Sequence, residues 1–164
     1  MSLSYRLEEL LGYSDQERAK WREWVAVDAG RLAISFQPRD RFPTIGSMLD
    51  HLFLVERRHL SRLEGATPPD ATGIKEGDWK ALFEYADLVR ADLRRYVADL
   101  DERQGAEPLT FAVQTGTYTM TRRKLLMHVV LHEIRHLAQV AFAARLAGHE
   151  PPGTHDLFYF TEFR

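Results

Sequence analysis

Apolar residues recur every three or four positions through most of this chain, the period that lets an amphipathic helix turn one stripe inward. The cleanest case is Trp79, Leu82, Phe83, Ala86, Val89, Leu93, Tyr96, Val97 and Leu100, which predicts a helix over residues 78–101. An earlier helix is expected over 44–64, with Ile45, Met48, Leu49, Leu52, Val55, Leu60 and Leu63 inward and Gly65 placed to stop it. Ahead of that, Ser14-Asp15-Gln16-Glu17 has the spacing of a capping box. The first long helix is therefore expected to open at Ser14, with Trp21, Trp24, Val25 and Ala29 on its apolar face. A shorter helical turn with Leu3, Leu7, Leu10 and Leu11 should precede it. Residues 30–43, containing Gln37-Pro38-Arg39-Asp40 and ending Phe42-Pro43, carry turn chemistry and read as a linker with little regular structure.

The period changes between Glu107 and Thr121. Thr110-Phe111-Ala112-Val113, then Gln114-Thr115-Gly116, then Thr117-Tyr118-Thr119-Met120 resembles a small β-hairpin rich in strand formers. The last long helix should begin near Thr121 as N-cap and run to about Leu146, with Gly148 as its stop. It is apolar on most sides and is expected to be largely buried. Four long helical segments without strand-helix alternation predict an all-α four-helix bundle with a small β-hairpin before the last long helix.

With 164 residues, the chain fits one domain able to bury a core without disulfides. A formal net charge of -2 gives no electrostatic footprint for a nucleic-acid backbone. No cysteine is present, so any metal must sit on imidazole, carboxylate or water. The amino terminus alternates charge with Leu, and the most apolar run, residues 125–131, is too short to span a bilayer. The expectation is a soluble, cytoplasmic protein with no nucleic-acid or membrane partner.

Candidate chemistry lies in the histidines. On the last helix His128, His132 and His136 stand four residues apart, and residues so spaced share a face with Cβ atoms roughly 5 to 6 Å apart. Two imidazoles at that spacing reach one ion through bonds of about 2.0 to 2.1 Å, whereas the outer two of three, roughly 12 Å apart along the axis, do not. Either pair, His128 with His132 or His132 with His136, therefore needs a third ligand from another helix. His51 is the first candidate and His59 its competitor. The same segment, His132-Glu133-Ile134-Arg135-His136, also spells the H-E-x-x-H of zinc metalloproteases. Against that reading stand Arg135, a charge where those proteases favour uncharged residues, and the lack of a sheet to build their cleft.

His128-Val-Val-Leu-His132-Glu-Ile-Arg-His136-Leu-Ala-Gln139 resembles the H-x-x-x-H-x-x-H-H-R-G-Q segment of the DinB-like (DinB/YfiT) superfamily of metal-dependent enzymes, and Asp50-His51-Leu-Phe-Leu-Val-Glu56-Arg57-Arg58 resembles its H-x-x-x-x-E signature. Further agreement comes from residues 13–24, the hairpin and the tail His155-Asp156-Leu-Phe-Tyr159, so the resemblance covers nearly the whole chain as a single domain, 1–164. Arg135 and Leu137-Ala138 depart from the pattern without removing a ligand position. The resemblance implies an up-down-down-up bundle, commonly a homodimer, with His51, His132 and His136 holding one divalent ion, zinc or nickel first and iron or manganese next. It leaves His128 as a core residue. Relatives implied by it are thiol-dependent S-transferases and an isomerase that use a low-molecular-weight thiol as cosubstrate. The expectation is thus a metal-dependent transferase or hydrolase acting on a small molecule. Glu133 and Glu56 are its candidate acid/base or supporting groups, unless they are plain surface charge. The competing expectation is a non-catalytic bundle with a structural ion or core histidines.

Overall fold

The computed structural model describes residues 6–36 and 41–160. Its elements are α1 (Leu7–Val27), a 3-10 turn (Ala29–Ala33), α2 (Ile45–Glu64), α3 (Trp79–Ala98), the short α4 (Glu102–Ala106), strands β1 (Pro108–Val113) and β2 (Gly116–Thr121), α5 (Arg122–Leu146) and a final 3-10 turn (Leu157–Tyr159). No helix among the described residues is long and apolar enough to cross a membrane.

Local chemistry sets several of the ends. Thr44 Oγ1 accepts the Ser47 amide at 3.1 Å and Ser47 Oγ accepts the Thr44 amide at 3.0 Å, a reciprocal cap that starts α2. Gly65, at φ 73°, ends it in the left-handed region that glycine reaches without a Cβ clash. Asp78 caps α3 and Thr121 caps α5 through the same kind of side-chain acceptor. The antiparallel hairpin pairs Pro108 with Thr121 and Val113 with Gly116, so its last residue is also the first cap of α5.

Packing partners give the topology. Residues rise together along α2 and α3, Phe53 meeting Phe83 and Leu63 meeting Tyr96, so these two helices run parallel. Between α1 and α3 the order reverses, with Arg22 reaching Phe83 and Asp15 reaching Arg94. It also reverses between α2 and α5, where His51 meets His136 and His59 meets His128. The result is the expected up-down-down-up bundle. One apolar core gathers Trp21, Val25, Leu49, Phe53, Phe83 and Val140; a second, at the other end, gathers Leu11, Leu60, Leu93, Leu125 and Val130. Each such side chain contributes about 1.5 to 3 kcal/mol by leaving water.

Between the two cores lies a layer of buried charge. Arg18 from α1 and Arg90 from α3 each bridge Glu56 from α2 and Glu133 from α5, Arg90 at 2.8 and 2.7 Å respectively. All four side chains are buried. Burial alone would push the Glu133 carboxyl up, but Arg18 and Arg90 hold it down at about 2.

Four expectations change. The first long helix does not open at Ser14: α1 runs unbroken from Leu7, because Leu11 and Tyr13 are buried and carry the helix through, while Ser14 Oγ donates to Glu133 at 2.5 Å instead of capping. The third helix stops at Ala98, and Asp101 instead caps α4. The linker contains the 3-10 turn and an isolated bridge between Ser35 and Thr44; its residues 37–40 lie outside the described set. Finally, α5 is not buried all round, since Leu131, Phe142 and Leu146 face outward.

After α5 the chain folds back along α1. Trp24 Nε1 donates to the Glu150 carbonyl and Lys20 Nζ to the Thr154 carbonyl, both at 2.7 Å, and Tyr13 Oη donates to the His155 carbonyl. The His155 ring pairs with Glu17 and stacks on Trp21 at 5.5 Å.

Arg90→Met leaves one arginine for two buried carboxylates and is expected to lower unfolding stability by about 3 to 5 kcal/mol in urea titration. Glu133 titrates at 4.5 ordinarily and at about 2 in the fold. Its contribution is therefore complete above pH about 4.5 and disappears as pH falls towards 2, which an acid series of the same titration reads out.

Candidate metal centre

The face of α5 that carries His128, His132 and His136 is turned towards α2, and the reversed direction of the two helices brings His51 opposite the second of those two gaps. The His132 and His136 ring centroids are 4.4 Å apart, and His51 lies 5.3 Å from the first and 5.5 Å from the second. One nitrogen from each of the three falls within 4.8 Å of the others. All three rings are half-buried, so the cluster opens on one side to solvent. The spacing alone left two pairs on this helix and two candidate partners; the structure groups His132, His136 and His51.

Supporting contacts orient two of the rings. His136 Nδ1 meets Gln139 Oε1 at 2.5 Å, a contact that with Nδ1 as donor leaves the Nε2 lone pair to an ion. Phe42 stacks on His51 with centroids 4.0 Å apart. Burial lowers the His51 pKa to about 4, assisted by His136, Arg41 and Arg58. Burial lowers His132 to about 3, assisted by His136 and His51. Both rings are therefore neutral near pH 7, the state in which imidazole offers a lone pair.

This donor set fits a divalent ion. A tetrahedral ion with bonds of about 2.0 to 2.1 Å holds its nitrogens roughly 3.4 Å apart, so the rings need only small turns to converge. The cluster contains no carboxylate, so such an ion would keep its full charge.

His128 and His59 do not join the cluster. They pair with each other, centroids 5.3 Å apart, one step further along the same helix pair, with His128 5.5 Å from His132. His59 is the buried member and His128 is exposed, so His128 is a surface residue and not a core one. Glu133 and Glu56 are buried rather than surface charge, and both oxygens of each carboxylate accept from Arg18 or Arg90. The partners Arg18, Arg90 and Ser14 are what sequence reasoning missed. Their signal was present, since each falls on the inward stripe of its helix. Gln139, three residues past His136, was a further missed contact.

The fold is shared with known structures. One is the crystal structure of a conserved protein from Enterococcus faecalis, which is 15% identical, covers 87% of this chain and 97% of its own, and superposes with a TM-score of 0.66. No curated protein matches this sequence. A family profile described as DinB family matches residues 1–162. With that match spanning both histidine-bearing helices and the tail, the chain belongs to the DinB family.

Proposed function

We propose that this chain is a metal-dependent enzyme of the thiol-dependent transferase or hydrolase kind, acting on a small molecule with one divalent ion held by His51, His132 and His136. The observation that carries this reading is the convergence of three imidazole nitrogens within 4.8 Å at the open edge of a helix pair. Zinc and nickel both suit imidazole donors. Held by three neutral imidazoles, such an ion would supply Lewis acidity towards a thiol or water.

The chain's own residues do the rest. Gln139 fixes the His136 tautomer, and Phe42 covers one face of His51 and keeps water from it. Glu56 and Glu133 hold the two ligand-bearing helices in register through the arginines, a positioning role in which both oxygens of each carboxylate are already engaged by guanidinium groups. The same layer argues against an ion whose only task is to pin α2 to α5, because four buried ion pairs already do that. The exposed apolar residues Leu131, Phe142 and Leu146 on α5 support a homodimer.

Elemental analysis of protein made without an affinity tag is expected to give about one ion per chain, lost in His51→Ala and in His132→Ala; unchanged metal content in those variants would sink the site. Gln139→Ala is expected to weaken metal affinity about 10- to 100-fold in competition with a chelating dye. In metal-free protein, proton NMR of the rings should place the His51 and His132 midpoints near 4 and 3, against 6.5 for an ordinary histidine. Because these folded values are depressed, the stability they confer is present above pH 6.5 and declines as pH falls towards them. Incubation of metal-loaded protein with small thiols and a panel of electrophiles tests catalysis, and absence of metal-dependent turnover would leave a structural site.

A further inference from the structure

The stripe of α2 that carries His51 continues beyond it. Arg58 and Arg62 lie seven and eleven residues on, close to two and three whole turns, and so fall in the same narrow arc of the helix. Both are half-buried, and among the described residues neither meets a carboxylate. Arg58 donates Nε and Nη2 to the backbone oxygens of Pro69 and Asp70 at 2.8 and 2.6 Å. Arg62 donates Nη1 to His59 Nδ1 at 3.3 Å and lies 5.0 Å above the Phe111 ring. The next arginine round the helix differs, for Arg57 pairs with both Asp92 and Glu64.

Two like charges four apart on a helix work against it, and burial together with Arg58 lowers the Arg62 pKa from its ordinary value. Their neighbours offer no relief: His51, His132, His128 and His59 carry no negative charge, and the arginines that act on His51 and His59 are Arg41, Arg58 and Arg62. The Phe111 ring lies against the Arg62 guanidinium, a planar group with five donors of which His59 takes one.

We propose that Arg58 and Arg62 form an anion subsite, and that the substrate of the three-histidine centre carries a phosphate or carboxylate group about 10 to 16 Å from its reacting atom, the rise of seven to eleven helical residues. The distance rests on the metal-dependent reading above; the anion subsite itself does not. Its ligand is thus an elongated anionic small molecule that lies along α2, reactive end at the histidines and oxyanion at the arginines.

Inorganic phosphate titrated into the metal-free full chain, followed by phosphorus NMR line width and by unfolding midpoint, tests the subsite. A saturable response is expected in the wild type and about tenfold weaker in Arg62→Gln, the loss of one charge-assisted contact. Arg62→Lys, which keeps the charge without the planar fork, is expected to fall between them and guards against misfolding of the glutamine variant. Succinate run in parallel separates the two sources of anion, and preference for either supports the inference. No saturable response to either anion, or an equal response in wild type and Arg62→Gln, overturns it. Phosphate binding through Arg62 in a chain that takes up no metal would overturn the metal reading alone, and normal metal uptake without an anion response would overturn the subsite alone.

Discussion

Two arginines and two glutamates, one from each long helix, meet in the middle of the bundle and determine how those helices are aligned. Taking such charges out of water costs several kcal/mol per ion, and only close, multiply hydrogen-bonded pairing offsets it. Here the pairing is reciprocal: Arg18 and Arg90 each touch both Glu56 and Glu133, and Ser14 and Asp15 take up remaining donors and acceptors. A slip of any helix by one turn would leave a buried charge alone. The apolar cores above and below tolerate many arrangements of similar volume; the charged layer tolerates one.

The histidine site depends on that alignment through adjacent residues. Glu133 points into the layer and His132, the preceding residue, meets His51, so the pairing that fixes one side chain fixes the azimuth of α5 for the other. Glu56 does the same for α2, five residues beyond His51. The three imidazoles are thereby brought together by contacts on another face of their own helices. Such preorganisation gives the histidine cluster a framework that stays still.

Much of this was legible in the chain. The limits of α2 follow from Thr44 and Gly65, and the start of α5 from Thr121, because caps and left-handed glycines act over a few residues and leave a local signature. The hairpin was legible from strand formers around Gly116 for the same reason. Ser14 misled because the same side chain serves as a cap when its helix starts there and as a donor when a carboxylate 119 positions later is buried beside it, and only the tertiary structure chooses. Glu56 and Glu133 invited a catalytic or surface reading for a related cause: charge on an inward stripe announces a buried partner without saying which. Spacing showed that two helix-borne histidines could share a ligand, whereas the antiparallel packing of α2 on α5 decided which pair His51 meets. His128 is the counterpart, one gap further along and facing His59 instead.

The tail that returns along α1 is fastened mainly by its backbone: Trp24, Lys20 and Tyr13 all donate to carbonyl oxygens, of Glu150, Thr154 and His155. A carbonyl is the same whatever side chain it belongs to. Among the tail residues so held, only His155 contributes its ring as well, to Glu17 and Trp21. In evolutionary terms the information for this strap is therefore stored on the helix it covers. At Glu150 and Thr154 its letters are free to drift while Trp24 and Lys20 stay, whereas His149, His155 and Phe160, whose rings meet Trp24, Trp21 and Tyr13, are tied to their own side chains.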